Sequence, residues 1–248
     1  MVDTNRQPEL LGQTVVVIGG SSGMGLETGR QARTEGATVI LTGRNPQRLE
    51  QAGIEVGASK TAAFDATDPD QLRQFFEGLS EPIDHVMLTA GGSYYATIAA
   101  MDFAQVRRAF EEHLVLPLQV ARAAAGTMRP GGTLVFMTGT AARHPAVGSA
   151  IAGILAAAVP ALTANLALEL APVRVNLIAA GFVDTPLSAS LMGGDLEKRR
   201  QELRETLPVR RVVEPSDIAR LAVSLMRNTA VTGATYDIDG GQQLLGTP

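Results

Sequence analysis

The sequence predicts a single doubly wound α/β domain, with seven parallel strands and helices on both faces of the sheet. Three observations predict it. Short runs rich in β-branched residues alternate with amphipathic stretches along the whole chain, as strands buried on both faces and covered by helices do. No linker, repeat or shift of composition divides the 248 residues, a length that suits one large domain. A glycine-rich turn follows the first apolar run, where such sheets place a ligand loop.

In chain order, strands are expected at Thr14–Ile18, Thr38–Thr42, Thr61–Phe64, His85–Thr89, Thr133–Thr138, Val173–Ile178 and Thr235–Ile238. Amphipathic helices are expected at Gly25–Glu35, Asp68–Leu79, Phe103–Ala125 and Pro215–Met226. Ser188–Pro208, polar and charged unlike its neighbours, reads either as a solvated helix or as a mobile lid over a cleft. Pro145–Leu168 carries no charged side chain and is long enough to cross a bilayer. A span needs about 20 strongly apolar residues with basic or aromatic anchors at its flanks. This run is instead alanine-rich, interrupted by Ser149, Pro160, Thr163 and Asn165, and it leads straight into "ELAPVRVN", a helix end and the next strand. It reads as a helix over about Ile151–Ala171, buried on most sides by its own sheet, with another subunit as a further cover. Pro160 inside it removes one hydrogen bond and should kink it.

Composition narrows the function. With 45% apolar and 19% charged residues, a net charge of −4 and no basic block, nucleic acid and anionic membranes are not expected partners. The absence of cysteine excludes disulfides, thiolate nucleophiles and cysteine-ligated metals. His85, His113 and His144 lie far apart, without the spacing of metal ligands, so no metal is expected. The polar N-terminal stretch "MVDTNRQPELLGQ" has no apolar core of a signal peptide, and a cytoplasmic protein is expected.

The first strand is followed by "GGSSGMG", which sets Gly19, Gly23 and Gly25 between strand and helix. Glycines there let the backbone turn tightly and approach a pyrophosphate, which then sits on the helix N-terminus, as in Rossmann-type domains. The spacing is Gly-x-x-x-Gly-x-Gly rather than the more general Gly-x-Gly-x-x-Gly.

With that loop the chain resembles the short-chain dehydrogenase/reductase family, and the resemblance covers nearly all of it. Ile18 stands where the family usually has threonine. Asp65 in "FDATD" is similar to the aspartate that contacts adenine, and "TAGG", with Ala90 and Gly91, is similar to an Asn-Asn-Ala-Gly segment shorn of its asparagines. "AAGFVDTPL" resembles the loop beside the nicotinamide, with Ala180 for the common proline and Thr185 kept, and "TGATYDIDGG" resembles the last strand. The resemblance implies a dinucleotide held by Gly19, Ser21, Ser22, Gly23, Met24, Gly25, Arg44, Asp65, Ala66, Ala90, Gly91, Gly181, Val183 and Thr185. After the second strand, NAD sites place an acid for the ribose 2′-hydroxyl. This chain has Gly43 and Arg44 there, with no acid before Glu50. A guanidinium suits a 2′-phosphate, so NADP(H) is favoured over NAD(H).

The resemblance also exposes what is missing. The family donates a proton from a tyrosine whose pKa is lowered by a lysine four positions on, while a serine orients the substrate oxygen. Alignment on "LTANLALEL" puts the tyrosine at Ala152 and the lysine at Ala156; alignment on "GGTLVFMTGT" puts the serine at Gly139, thirteen positions before Ala152. The family's asparagine falls on His113. Lys60, Lys198, Tyr94, Tyr95 and Tyr236 make no Tyr-x-x-x-Lys in any register. Replacement proton donors are sought among Tyr94, Tyr95, His113 and His144, with hydroxyls at Thr138 and Thr140; each also has an ordinary packing or turn role. Two alanines in place of tyrosine and lysine leave an apolar cavity, suited to a hydrophobic ligand or to an iminium ion that needs no strong acid. Three readings stay open: an NADP(H)-dependent oxidoreductase on a small carbonyl, enone or imine; a non-redox cyclase or isomerase; and a silent binding protein for NADP(H) or another small ligand. The family's assembly habit implies a homotetramer, or a dimer, paired through the two long helices.

Overall fold

A computed structural model describes residues 9–245; most of the polar N-terminal stretch lies outside them. The sheet has seven parallel strands in the order β3-β2-β1-β4-β5-β6-β7. They are β1 (Thr14–Ile18), β2 (Thr38–Gly43), β3 (Lys60–Ala63), β4 (Ile83–Leu88), β5 (Met128–Gly139), β6 (Arg174–Ala180) and β7 (Thr235–Ile238). The expected strands are all present. The largest boundary difference is β5, which starts five residues before the expected Thr133. Its pairing with β4 jumps from Ile83↔Met128 to His85↔Thr133, and Pro130, Gly131 and Gly132 in the jump disguise the start of the strand.

Side-chain alternation divides the core. Val16, Val86, Leu134 and Leu177 face one layer, where they pack with α3 (Pro69–Glu77), α5 (Leu116–Ala125) and α6 (Ala150–Glu169). Val15, Val17, Met87 and Ile178 face the other, with α1 (Gly23–Thr34), α2 (Pro46–Val56) and α9 (Pro215–Arg227). Helix α2 is absent from the expected elements although its ends are written in the sequence: Asn45 caps it by accepting from the Arg48 amide at 2.8 Å, Pro46 follows, and Gly57 closes it in the left-handed conformation.

The long helix expected over Phe103–Ala125 is interrupted. It comprises α4 (Phe103–Phe110), a π-helical turn at Glu111–Val115 and α5. Ser188–Pro208 becomes the end of α7 (Pro186–Met192), a 3₁₀ turn at Gly193–Asp195, and α8 (Leu196–Thr206). Helix α8 is anchored: Leu203 and Leu207 are buried, and Arg200 donates twice to the Asp184 carboxylate, both at 2.9 Å.

Helix α6 runs unbroken through Pro160. The Thr163 hydroxyl and the Asn165 amide donate to the carbonyls of Val159 and Ala161, on either side of the proline. Among the described residues it is the one helix long and apolar enough to cross a membrane. Its Val159, Leu166 and Ala167 pack on the sheet. The opposite stripe, Ile154, Ala157, Ala161, Ala164 and Leu168, is exposed in the monomer, so its own sheet supplies only part of the burial expected from sheet and subunit together.

Candidate active site

Strand order reverses between β1 and β4, and in such sheets ligands bind at the carboxyl ends beside that reversal. A cleft of about 550 Å³ lies there. Its floor is the glycine loop. Gly19 has φ +92° and Gly23 φ +55°, conformations that favour glycine. A Cβ on Gly25 would stand 2.3 Å from the Gly19 carbonyl oxygen, so the loop closes on the helix only without one. The Thr89 hydroxyl, at the end of β4, donates to the carbonyls of Ile18 and Gly19 at 3.2 and 3.1 Å. It ties the two strand ends together.

Helix α1 opens without a side-chain cap from Ser22 and without an acid in its first turn. Its leading amides and positive dipole end are therefore left for an anion, which fits a pyrophosphate. Across the cleft, Thr185 caps α7 by accepting from the Ser188 amide at 3.1 Å. Its methyl group lies 3.5 Å from the place a Cβ on Gly23 would take. The Ser188 hydroxyl donates to the Val183 carbonyl at 2.7 Å, which fixes the loop before α7.

At the other end Arg44 and Arg48 both line the cleft and are exposed. Arg48 was not among the expected site residues. Its signal was the Asn45–Pro46 helix start, which turns position 48 back toward Arg44. Asp65 accepts from the amide and hydroxyl of Thr67 at 3.0 and 2.8 Å. Burial raises its pKa, but those two bonds, with the charges of Arg44 and Arg108, outweigh burial and hold the carboxyl below its ordinary value. Of the expected cofactor residues, Gly19, Ser21, Ser22, Gly23, Met24, Gly25, Arg44, Asp65, Ala66, Ala90, Gly91 and Thr185 line the cleft; Gly181 and Val183 do not.

Of the expected proton donors, His113 stands behind the cleft wall, its Cε1 3.6 Å from the place a Cβ on Gly91 would take, and Tyr94, Tyr95 and His144 do not line the cleft. The Tyr94 hydroxyl accepts from the Asp102 amide at 2.7 Å, and its ring packs on the cluster of Ala109, Ile151 and Leu155. Tyr95 is 58% exposed. His113, in the π turn, donates its Nδ1–H to the Ala109 carbonyl at 3.0 Å. His144 donates from Nε2 to the Gln243 carbonyl at 2.7 Å and so pins the loop after β5 to the C-terminal turn. Gly139 ends β5, Ala152 is half-buried and Ala156 is buried on α6; none offers a side chain that can transfer a proton. Among the described residues no cluster of histidines and acids could hold a metal ion.

A seven-stranded parallel sheet with a glycine loop at its reversal point and an uncapped helix beneath it defines a dinucleotide-binding α/β protein. Comparison with known proteins narrows the class. A family model described as enoyl-(acyl carrier protein) reductase matches residues 18–243. The chain is 29% identical over 252 residues to the short-chain dehydrogenase/reductase ATR9 of Stachybotrys chlorohalonatus, covering 94% of this chain and 98% of that one. Among solved structures, a small-chain dehydrogenase in complex with NADPH superposes with a TM-score of 0.81 at 28% identity, covering 94% and 99% of the two chains. The MalC reductase/Diels-Alderase of Malbranchea aurantiaca shares the fold at a TM-score of 0.89 and 24% identity, covering 97% and 100%. The chain belongs to the short-chain dehydrogenase/reductase family of oxidoreductases.

Proposed function

We propose that the protein is an NADP(H)-dependent oxidoreductase of atypical site, acting on a small, largely apolar carbonyl, enone or imine. The observation that carries the cofactor reading is the pair of exposed guanidiniums, Arg44 and Arg48, at the end of the cleft opposite Thr185. With no acid between Gly43 and Glu50, a ribose 2′-phosphate would meet two cations on this loop, Asp65 across the cleft being the acid that shares the field of Arg44. The uncapped start of α1 supports the pyrophosphate, and Thr185 with α7 would cover the nicotinamide end. Bound there, the reduced nicotinamide supplies hydride. The chain's own residues hold the ligand and exclude water; Gly139, Ala152 and Ala156 deliver no proton. A substrate already carrying positive charge, such as an iminium ion, needs none, and imines therefore head the candidates. The same loss of ionisable groups favours, as second reading, a non-redox cyclase or isomerase that would form product with NADPH unchanged. A protein that only binds the dinucleotide would do neither.

Titration with NADPH and NADH, followed by nicotinamide fluorescence, tests the cofactor. NADPH is expected to bind more tightly, and R44A to weaken it by about 10–100-fold, the worth of one hydrogen bond to a charged group, with little effect on NADH. If neither dinucleotide binds at millimolar concentration, the oxidoreductase reading falls. Assembly as a homotetramer, or a dimer, is part of the same proposal. It is supported by the exposed apolar stripe of α6, where Ile154 is 51% and Leu168 81% exposed, and by Phe103 on α4 and Leu118 on α5 at 66% and 46%.

A further inference from the structure

One acidic side chain in the cleft wall has no part in the proposed reaction. Glu112 stands in the π turn between α4 and α5, its side chain 11% exposed. It lines the cleft beside Ala90 and Gly91. Its Oε2 accepts from the Gly92 amide at 3.0 Å, and its Oε1 accepts from Arg108 Nε at 2.9 Å. The Gly92 amide needs such a partner, because β4 ends at Leu88 and Gly91 then turns the chain at φ +127°. The wall is also close-fitting: a Cβ on Gly91 would lie 3.6 Å from both Glu112 Cβ and His113 Cε1. The π turn puts the carboxylate there. One extra residue in a helical turn rotates the two flanking helical segments by about 100° relative to each other. Leu116 and Val120 thus face the core while Glu112 reaches the end of β4.

We propose that Glu112 is a positioning residue for the dinucleotide. Through Gly92 it holds the Ala90–Gly91–Gly92 wall in its binding shape, and Arg108 fixes its second oxygen. Two successive glycines without that tether sample many backbone states, and a ligand that must order them binds more weakly. The proposal rests on the dinucleotide reading. NADPH titration of wild type, E112A and E112Q tests it, alongside thermal unfolding and amide hydrogen exchange over residues 88–95 of the unliganded proteins. In E112A the NADPH Kd is expected to rise about tenfold, for the loss of one charge-assisted bond, and exchange over 88–95 to quicken. In E112Q the amide oxygen still accepts from Gly92, so both readouts should return to near the wild-type values. A folded E112A that binds NADPH like wild type overturns this proposal alone, as does an E112Q no better than E112A. A wild type that does not bind NADPH overturns the cofactor reading, and this proposal with it.

Discussion

Placing serine, tyrosine and lysine at three of the four positions where the family resemblance implies the catalytic side chains, in the variant G139S/A152Y/A156K, should raise reduction of a simple ketone by about 10²–10⁴ over wild type, the range a positioned general acid contributes. That corresponds to roughly 2.7–5.5 kcal/mol of barrier. The structure says what the change costs. A Cβ on Gly139 meets nothing nearer than the Ala180 carbonyl oxygen at 3.9 Å, so serine enters freely. Ala152 is half-buried, leaving a phenol one open side. Ala156 is 4% exposed, and a lysine there must push neighbours aside, an overpacking cost of about 1–3 kcal/mol. Domains are commonly stable by about 5–15 kcal/mol, so the variant is expected to fold with a lowered Tm. Single-turnover consumption of NADPH with an unhindered ketone is the assay, with NADPH affinity measured on the same samples. A triple variant that folds, binds NADPH and reduces the ketone no faster than wild type would refute the claim that the absent donor limits this site.

Other consequences are as direct. G25A places a methyl group 2.3 Å from the Gly19 carbonyl oxygen, so NADPH affinity should fall at least about tenfold; unchanged affinity would remove the phosphate role of the loop. Burial, reinforced by the charge of Arg174, pushes His85 down to about 3. Its ordinary pKa is about 6.5, so between those values the unfolded chain takes up a proton that the folded protein refuses. This contribution to stability is complete above about pH 6.5 and is lost by about 1.4 kcal/mol per pH unit as pH falls toward 3. Denaturant unfolding at neutral and mildly acidic pH measures the slope, and an H85Q variant with an identical slope would contradict the assignment. L168E puts a charge on the exposed stripe of α6; light scattering should show a smaller assembly than wild type, and an unchanged mass would exclude that face as the contact.

Much of the fold was legible because strands buried on both faces must be continuous apolar runs, and helices between them must carry one apolar face. Val15–Ile18 is such a run, and Val175–Ile178 is one apart from Asn176. What escaped depended on small offsets. Helix α2 is short and only its Asn-Pro start and glycine stop betray it. The π turn leaves the apolar pattern of Phe103–Ala125 nearly intact while changing its phase. The glycine loop and Arg44 were readable because their chemistry is local to a few residues. Arg48 and Glu112 were not, because each enters the cleft only through the rotation of the helix that carries it.

By itself the sequence determined the order of the seven strands, the glycine loop, and the glycine and alanines at Gly139, Ala152 and Ala156, where the family resemblance implies serine, tyrosine and lysine, since these are matters of residue identity and local pattern. Only the tertiary structure decided which side chains meet. It engages the Tyr94 hydroxyl with the Asp102 amide, turns His113 Nδ1 to Ala109, and commits His144 to Gln243. It sets Arg48 beside Arg44 in one cleft and leaves one stripe of α6 without a covering layer. The physical reason is that a side chain's direction is set by helix phase and by packing between segments far apart in the chain, and neither is a property of any short stretch.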